Sequence, residues 1–268
     1  MSTTRLTSKD GTSIGYERWG SGPAVILVGG GAVDRSENAP LGRELAEQFT
    51  VYNYDRRGRG DSGDTLPYAV ARELEDLAVL IDEAGGSAHL YGPSSGGAVA
   101  LEAAAAGLPV GKVAVYEVPY SIGEAASQRW HEYVQRLRAL LDQGRRGDAF
   151  ALFMRMAGAS EEMVGSARSS PVWPGCETIA PTLAYDAAFL GDGHPPADRF
   201  ARIRQPVLVA TGGASPDSFV GGGGSYFDAA ADALVACLPQ AERQTIEGQA
   251  HEVDAKVLAP VLERFFRA

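Results

Sequence analysis

The octapeptide Tyr91-Gly92-Pro93-Ser94-Ser95-Gly96-Gly97-Ala98 constrains this chain more than any other stretch. An apolar, strand-like run at residues 87–91 leads into it, and an alanine-rich helical stretch leaves it. A serine on so sharp a strand-to-helix turn is held in a strained backbone conformation, so the residues two before and two after it must be small. Gly92 and Gly96 meet that need around Ser94. Were Ser95 the presented serine, the flanks would be Pro93 and Gly97, and the proline ring would crowd the turn. Ser94 is therefore the candidate nucleophile. The competing reading, a chance match in a glycine-rich chain, is weakened by the flanking strand and helix.

Around this turn, strand-like and helix-like segments alternate, which predicts a mostly parallel sheet covered on both faces. Residues 4–8 and 12–18 read as an opening hairpin across Asp10-Gly11. Residues 24–28 are a short continuous apolar run, as a doubly buried strand requires, and end at Gly29-Gly30-Gly31. A helix around 41–49, a strand at 51–54 and a helix over 67–84 follow, then the elbow strand, its helix through residue 106 and a strand at 112–116. The alternation stops between residues 121 and 200, where amphipathic runs and prolines predict a helical cap. Strands at 206–211 and 242–247, with helices at 226–238 and 254–266, complete the pattern. The expected organisation is a core of residues 1–120 and 201–268 around a cap of residues 121–200. The tract Gly221-Gly222-Gly223-Gly224-Ser225 reads as a flexible linker rather than a helix start.

At 268 residues the chain can bury one large core, and 45% hydrophobic content argues against disorder. A formal net charge of −10 disfavours nucleic acid and anionic membrane as partners. Arg56, Arg57 and Arg59 do not override it, being interleaved with Asp55 and Asp61. The polar start lacks the apolar segment of a signal peptide, and no stretch approaches a membrane span. Cys176 and Cys237 are far apart and lack metal-ligand spacing, which suits a reducing cytoplasm. A cytoplasmic protein without metal or cofactor is expected, acting on a small molecule; a homodimer is left open.

A serine hydroxyl needs a histidine to take its proton, and that histidine needs a carboxylate to set its tautomer. Of four histidines, His251 lies in a loop between the last strand and the last helix, where strand ends deliver residues to a site. His89 falls inside the elbow strand and reads as packed core; His131 and His194 fall in the cap. Two carboxylates compete for the third role. Glu117 stands at the end of the strand at 112–116, while Asp217 follows the strand ending near Thr211. Glu117 is preferred and Asp217 is the alternative. The amides of Gly31 and Ser95 are the expected oxyanion donors, and the glycine run that lets substrate approach the backbone makes Gly30 a substrate-binding candidate. That run lacks both phosphate-loop registers.

Together G-P-S-S-G, the post-strand G-G-G, D-R-R-G-R-G-D-S and G-Q-A-H resemble the α/β-hydrolase superfamily over essentially the whole chain. The resemblance implies an α/β fold with a mostly parallel eight-stranded sheet flanked by helices, and a helical cap. Within it the chain is similar to small capped esterases and lactonases, including the zearalenone-lactone hydrolase type, through Tyr116-Glu117-Val118-Pro119, residues 213–219 and Pro171-Val172-Trp173. That likeness implies a glutamate as the acid, adding weight to Glu117, and makes Trp173 a candidate for lining the pocket. The expected activity is hydrolysis of an ester or lactone through an acyl-enzyme. A cyclase, lyase or cofactor-free haloperoxidase using the same three residues is the alternative. Departures are Gly29-Gly30 where many relatives carry His-Gly, and Pro93 before the serine.

Overall fold

The computed structural model describes residues 3–214 and 223–268. It opens with an antiparallel pair, β1 (Thr4–Thr7) and β2 (Ser13–Trp19). Strand and helix then alternate through β3 (Ala24–Leu27), α1 (Ala39–Leu45), β4 (Thr50–Tyr54), α2 (Val70–Glu83), β5 (Ala88–Pro93), α3 (Ser95–Ala105) and β6 (Val110–Tyr116). Six helices follow without a strand: α4 (Glu124–Asp142), α5 (Arg146–Met156), α6 (Glu161–Arg168), α7 (Trp173–Ile179), α8 (Leu183–Leu190) and α9 (Ala197–Phe200). The chain returns to the sheet with β7 (Val207–Gly212), α10 (Gly223–Cys237), β8 (Ala241–Ile246) and α11 (Ala255–Arg267).

The eight strands form one sheet in the order β1-β2-β4-β3-β5-β6-β7-β8, parallel from β4 to β8. Alternate residues of each central strand serve opposite cores, as a period of two demands. Val25 and Leu27 of β3 pack with α1 and α11, through Leu41, Leu45, Leu258 and Leu262. Ile26 and Val28 face the other way, toward Leu77 and Leu80 of α2, Val99 of α3 and Leu234 of α10. Each such side chain contributes roughly 1.5–3 kcal/mol of burial.

From β3 the chain steps to β4 on one side and later to β5 on the other. Such a reversal opens a crevice at the carboxyl ends of the two diverging strands. The loops leaving β3 and β5 are the Gly29–Gly31 run and the Ser94 turn, so topology alone brings them together.

The glycine tract departs from expectation: α10 begins at Gly223 and takes in Gly223, Gly224 and Ser225. Phe227, Ala230, Ala231 and Leu234 recur at helical spacing and are buried, and this packing carries the helix back over residues with poor intrinsic propensity. Gly221 and Gly222 lie outside the described residues.

Candidate active site

Ser94 joins β5 to α3 with φ 51° and ψ −132°. Its amide donates to Tyr116 O at 2.8 Å, which continues the β5–β6 ladder where Pro93 has no N–H to offer. The flanking glycines are obligatory. A Cβ on Gly92 would stand 2.3 Å from Gly96 O, and one on Gly96 2.4 Å from Val28 O, both immovable backbone atoms.

Glu117 leaves the end of β6 with φ 49° and is only 5% exposed. A buried carboxylate must be paired on its lone pairs. Its Oε1 accepts from the Gly212 amide at 2.9 Å, and its Oε2 lies 2.8 Å from His251 Nδ1. A carboxylate only accepts, so this contact selects Nδ1 as the proton-bearing nitrogen, and in the neutral ring Nε2 is then the acceptor. His251 sits in the loop between β8 and α11, where its ring stacks on Phe227 with centroids 5.0 Å apart and planes 13° apart. Gly212 lets that loop approach, because a Cβ there would lie 2.1 Å from Gln249 O.

Three non-glycine residues among those described have a left-handed backbone: Ala32, Ser94 and Glu117. Two are the candidate nucleophile and acid, and the third follows the candidate oxyanion donor Gly31. Strain of this kind costs roughly 1–3 kcal/mol per residue and gathers at functional sites.

A cavity of about 1030 Å³ is lined by Gly31, Ser94, Ser95 and His251 on the sheet side. Trp130, Tyr133, Phe150, Phe153, Tyr226 and Phe227 give it aromatic surface, alongside aliphatic side chains and charged ones such as Arg129, Glu132 and Arg136. Ser95 is the first residue of α3, so its amide is one of those a helix leaves without an internal partner. Among the described residues, no acceptor engages the Gly31 amide. Gly30 is placed differently: it is buried behind the cavity wall, and its amide donates to Glu37 Oε2 at 3.1 Å.

Trp173 also lies away from the cavity. It is buried in a satellite core with Ala151, Ala159 and Val164, its ring stands edge-on to Phe150, and its Nε1 donates to Glu177 Oε1 at 3.1 Å. Trp130 of α4 lines the cavity instead. Both tryptophans lie on amphipathic helices, so only the docking of those helices separates the two roles. Asp217 lies outside the described residues. His89 is half-buried in β5 and stacks on Phe266 at 5.0 Å, while His131 and His194 are exposed on the insertion.

Several residues escaped the sequence reading. Arg56, Arg57 and Arg59 are fully buried, each against carboxylates distant in sequence. Arg56 grips Glu73 through two bonds of 2.6 and 2.9 Å, and Arg57 grips Asp76 at 2.8 and 2.7 Å. Arg59 binds both oxygens of Asp186, on α8, at 2.8 Å. Burial alone would push the Asp186 carboxyl up, but the guanidiniums of Arg59 and Arg56 outweigh it and hold the group below the usual carboxylate range. Glu37 behaves oppositely: desolvation raises its carboxyl, against the lowering pull of the Gly30 amide, His251 and Arg59.

The family model for the alpha/beta hydrolase family matches residues 24–258. The chain belongs to that family. One solved structure, an alpha/beta hydrolase from Sphaerobacter thermophilus, is 47% identical, with a TM-score of 0.84 over 98% of this chain and 100% of that one. An uncharacterized hydrolase, YraK of Bacillus subtilis, is 33% identical over 34% of this chain and 35% of its own length, so the chain matches only about a third of that relative. The enol-lactonase of Burkholderia xenovorans shares the fold at 19% identity, with a TM-score of 0.72 over 99% of this chain and all of that one. Among the described residues no helix is long and apolar enough to cross a membrane, and no group of three or more His, Cys, Asp or Glu side chains could hold a metal ion.

Proposed function

We propose that this hydrolase cleaves the ester or lactone of a small hydrophobic substrate through an acyl-enzyme. The contact between Glu117 and His251 carries the reading, because it gives the ring a bare Nε2 beside the same cavity that the Ser94 turn enters. Ser94 Oγ attacks the carbonyl carbon while its proton passes to His251. The amides of Gly31 and Ser95 take the charge that develops on the carbonyl oxygen, an interaction stronger in the tetrahedral state than in the substrate. Collapse breaks the carbon–oxygen bond, and the leaving alkoxide takes the proton from His251. Water, deprotonated by the same ring, then releases the acid and frees Ser94.

The aromatic and aliphatic lining and a volume just above the usual 300–1,000 Å³ range for ligand pockets suit a bulky apolar ester or a macrocyclic lactone. Helices α4, α5 and α8 of the expected cap line it, and the narrower likeness to zearalenone-lactone hydrolases rests on Tyr116-Glu117-Val118-Pro119, residues 213–219 and Pro171-Val172-Trp173.

A fluorophosphonate should label wild type at Ser94, and Ser94→Ala should abolish both labelling and hydrolysis of p-nitrophenyl esters and macrocyclic lactones. Absence of labelling would overturn the reading, and labelling without hydrolysis across the panel would favour a non-hydrolytic reaction on the same residues.

A further inference from the structure

The residue after the nucleophile contributes its amide to the proposed oxyanion hole, yet Ser95 also has a hydroxyl. That hydroxyl is buried and donates to Asp186 Oδ1 at 2.9 Å, across 91 positions of sequence. The same carboxylate receives Arg56 at 2.7 Å and Arg59 at 2.8 Å. Arg59 donates its other terminal nitrogen to Gly30 O, and Arg56 reaches Gly29 O at 3.4 Å.

The bond to Gly30 O matters because of covalent geometry. The carbonyl of Gly30 and the N–H of Gly31 belong to one planar trans peptide unit, so they point in opposite directions. A guanidinium anchored on the oxygen fixes that plane, aims the Gly31 N–H away from Arg59, and polarises it as an acceptor-to-donor relay does. Asp186 in turn holds Arg59 by both oxygens. A Cβ added to Gly31 would stand 3.3 Å from Asp186 Oδ2 and 3.4 Å from Ser95 Oγ, so the three groups meet at one point. Charge is balanced within the cluster itself, where Asp186 and Glu73 face Arg56 and Arg59.

We infer that Asp186 and Arg59 are positioning residues that set both oxyanion donors and tie the helical insertion to the oxyanion hole. Through Ser95 the pair orients the first amide of α3, and through Gly30 O it orients the Gly31 amide. Helix α8 is thereby latched to the hole instead of resting on it. The inference rests on the acyl-transfer reading above.

The test compares wild type with Ser95→Ala, Arg59→Lys and Asp186→Asn. Fluorophosphonate labelling counts competent Ser94 in each protein. Turnover of p-nitrophenyl butyrate per labelled site, KM, the inhibition constant of phenylboronic acid and Tm are then measured. Ser95→Ala deletes one oxygen and leaves the amide, so turnover should fall about tenfold, less than the 10²–10³ of a donor removed outright. KM should hold within about twofold, and boronate affinity should fall by the same factor as turnover, since it mimics the tetrahedral state. Arg59→Lys keeps the charge without the fork and should lose at least as much. Adding Ser95→Ala to Asp186→Asn should cost little more than Asp186→Asn alone. Wild-type turnover and boronate affinity in both Ser95→Ala and Arg59→Lys would overturn the inference, as would losses confined to Tm. Should Asp186→Asn fail to fold, Ser95→Ala and Arg59→Lys decide the question. If wild type itself is not labelled, the acyl-transfer reading fails and this inference falls with it; if wild type is labelled and the variants are unchanged, this inference fails alone.

Discussion

His251 Nδ1 and Glu117 Oε2 stand 2.8 Å apart across 134 positions of sequence, with the other Glu117 oxygen tied to the Gly212 amide. An amide in place of this carboxylate would keep the shape but could no longer impose one tautomer on the ring. Glu117→Gln should therefore lower turnover of p-nitrophenyl esters by about 10³- to 10⁴-fold with KM little changed. Asp217→Asn should leave turnover at the wild-type level. Steady-state kinetics of both variants check the assignment, and a reversed pattern would transfer the acid's role to Asp217.

The second support of His251 is Phe227, buried at 3% exposure and parallel to the ring. Phe227→Leu keeps an apolar group on α10 but removes the flat face. Turnover should drop about tenfold and labelling by fluorophosphonate should slow in parallel, since a loosened base misplaces the proton transfer.

Trp173 and Trp130 should separate cleanly. Trp173→Phe loses the hydrogen bond to Glu177 outside the cavity, so stability should fall by about 1 kcal/mol, read by urea melts, with KM unaltered. Trp130→Phe reshapes the cavity wall and should raise KM for bulky hydrophobic esters several-fold, read against the same ester panel.

Glu37 gives a pH-dependent prediction. Desolvation holds its carboxyl above the ordinary value in the folded chain, and His251, Arg59 and Glu252 are the charges that act on it. Because the unfolded chain loses this proton first, stability should decline as pH rises from about 4.3 through the raised folded value. Glutamine cannot ionise but can still accept from the Gly30 amide. Glu37→Gln should therefore gain stability relative to wild type between pH 4 and pH 7 in urea melts, and an unchanged difference across that range would refute the assignment.

Much of this architecture could be read from residue order. Gly92 and Gly96 declare the turn because no other residue fits between Val28 O and the start of α3. The alternating faces of β3 declare a doubly covered sheet. Glu117 and His251 were legible because each lies beyond the carboxyl end of a strand, Glu117 directly after β6 and His251 in the loop after β8. Asp186 was not: it looks like any helical carboxylate until α8 is docked 91 residues from Ser95. The arginines of residues 55–62 read as interleaved with Asp55 and Asp61, whereas burial matches Arg56 and Arg59 to Glu73 and Asp186 instead. Phe227 fell inside the helix expected at 226–238, but its stacking on His251 emerges only once that helix is docked on the sheet.

The left-handed backbone shared by Ala32, Ser94 and Glu117 has a consequence for any attempt to harden this molecule against heat. Glycine at these three places would relax the chain, at the loss of the hydroxyl and the carboxylate at two of them. Selection for endurance alone would thus drift toward a sturdier but idle protein. Only screening that counts product as well as survival would steer the gains to the outer helices, where rigidity and work do not compete.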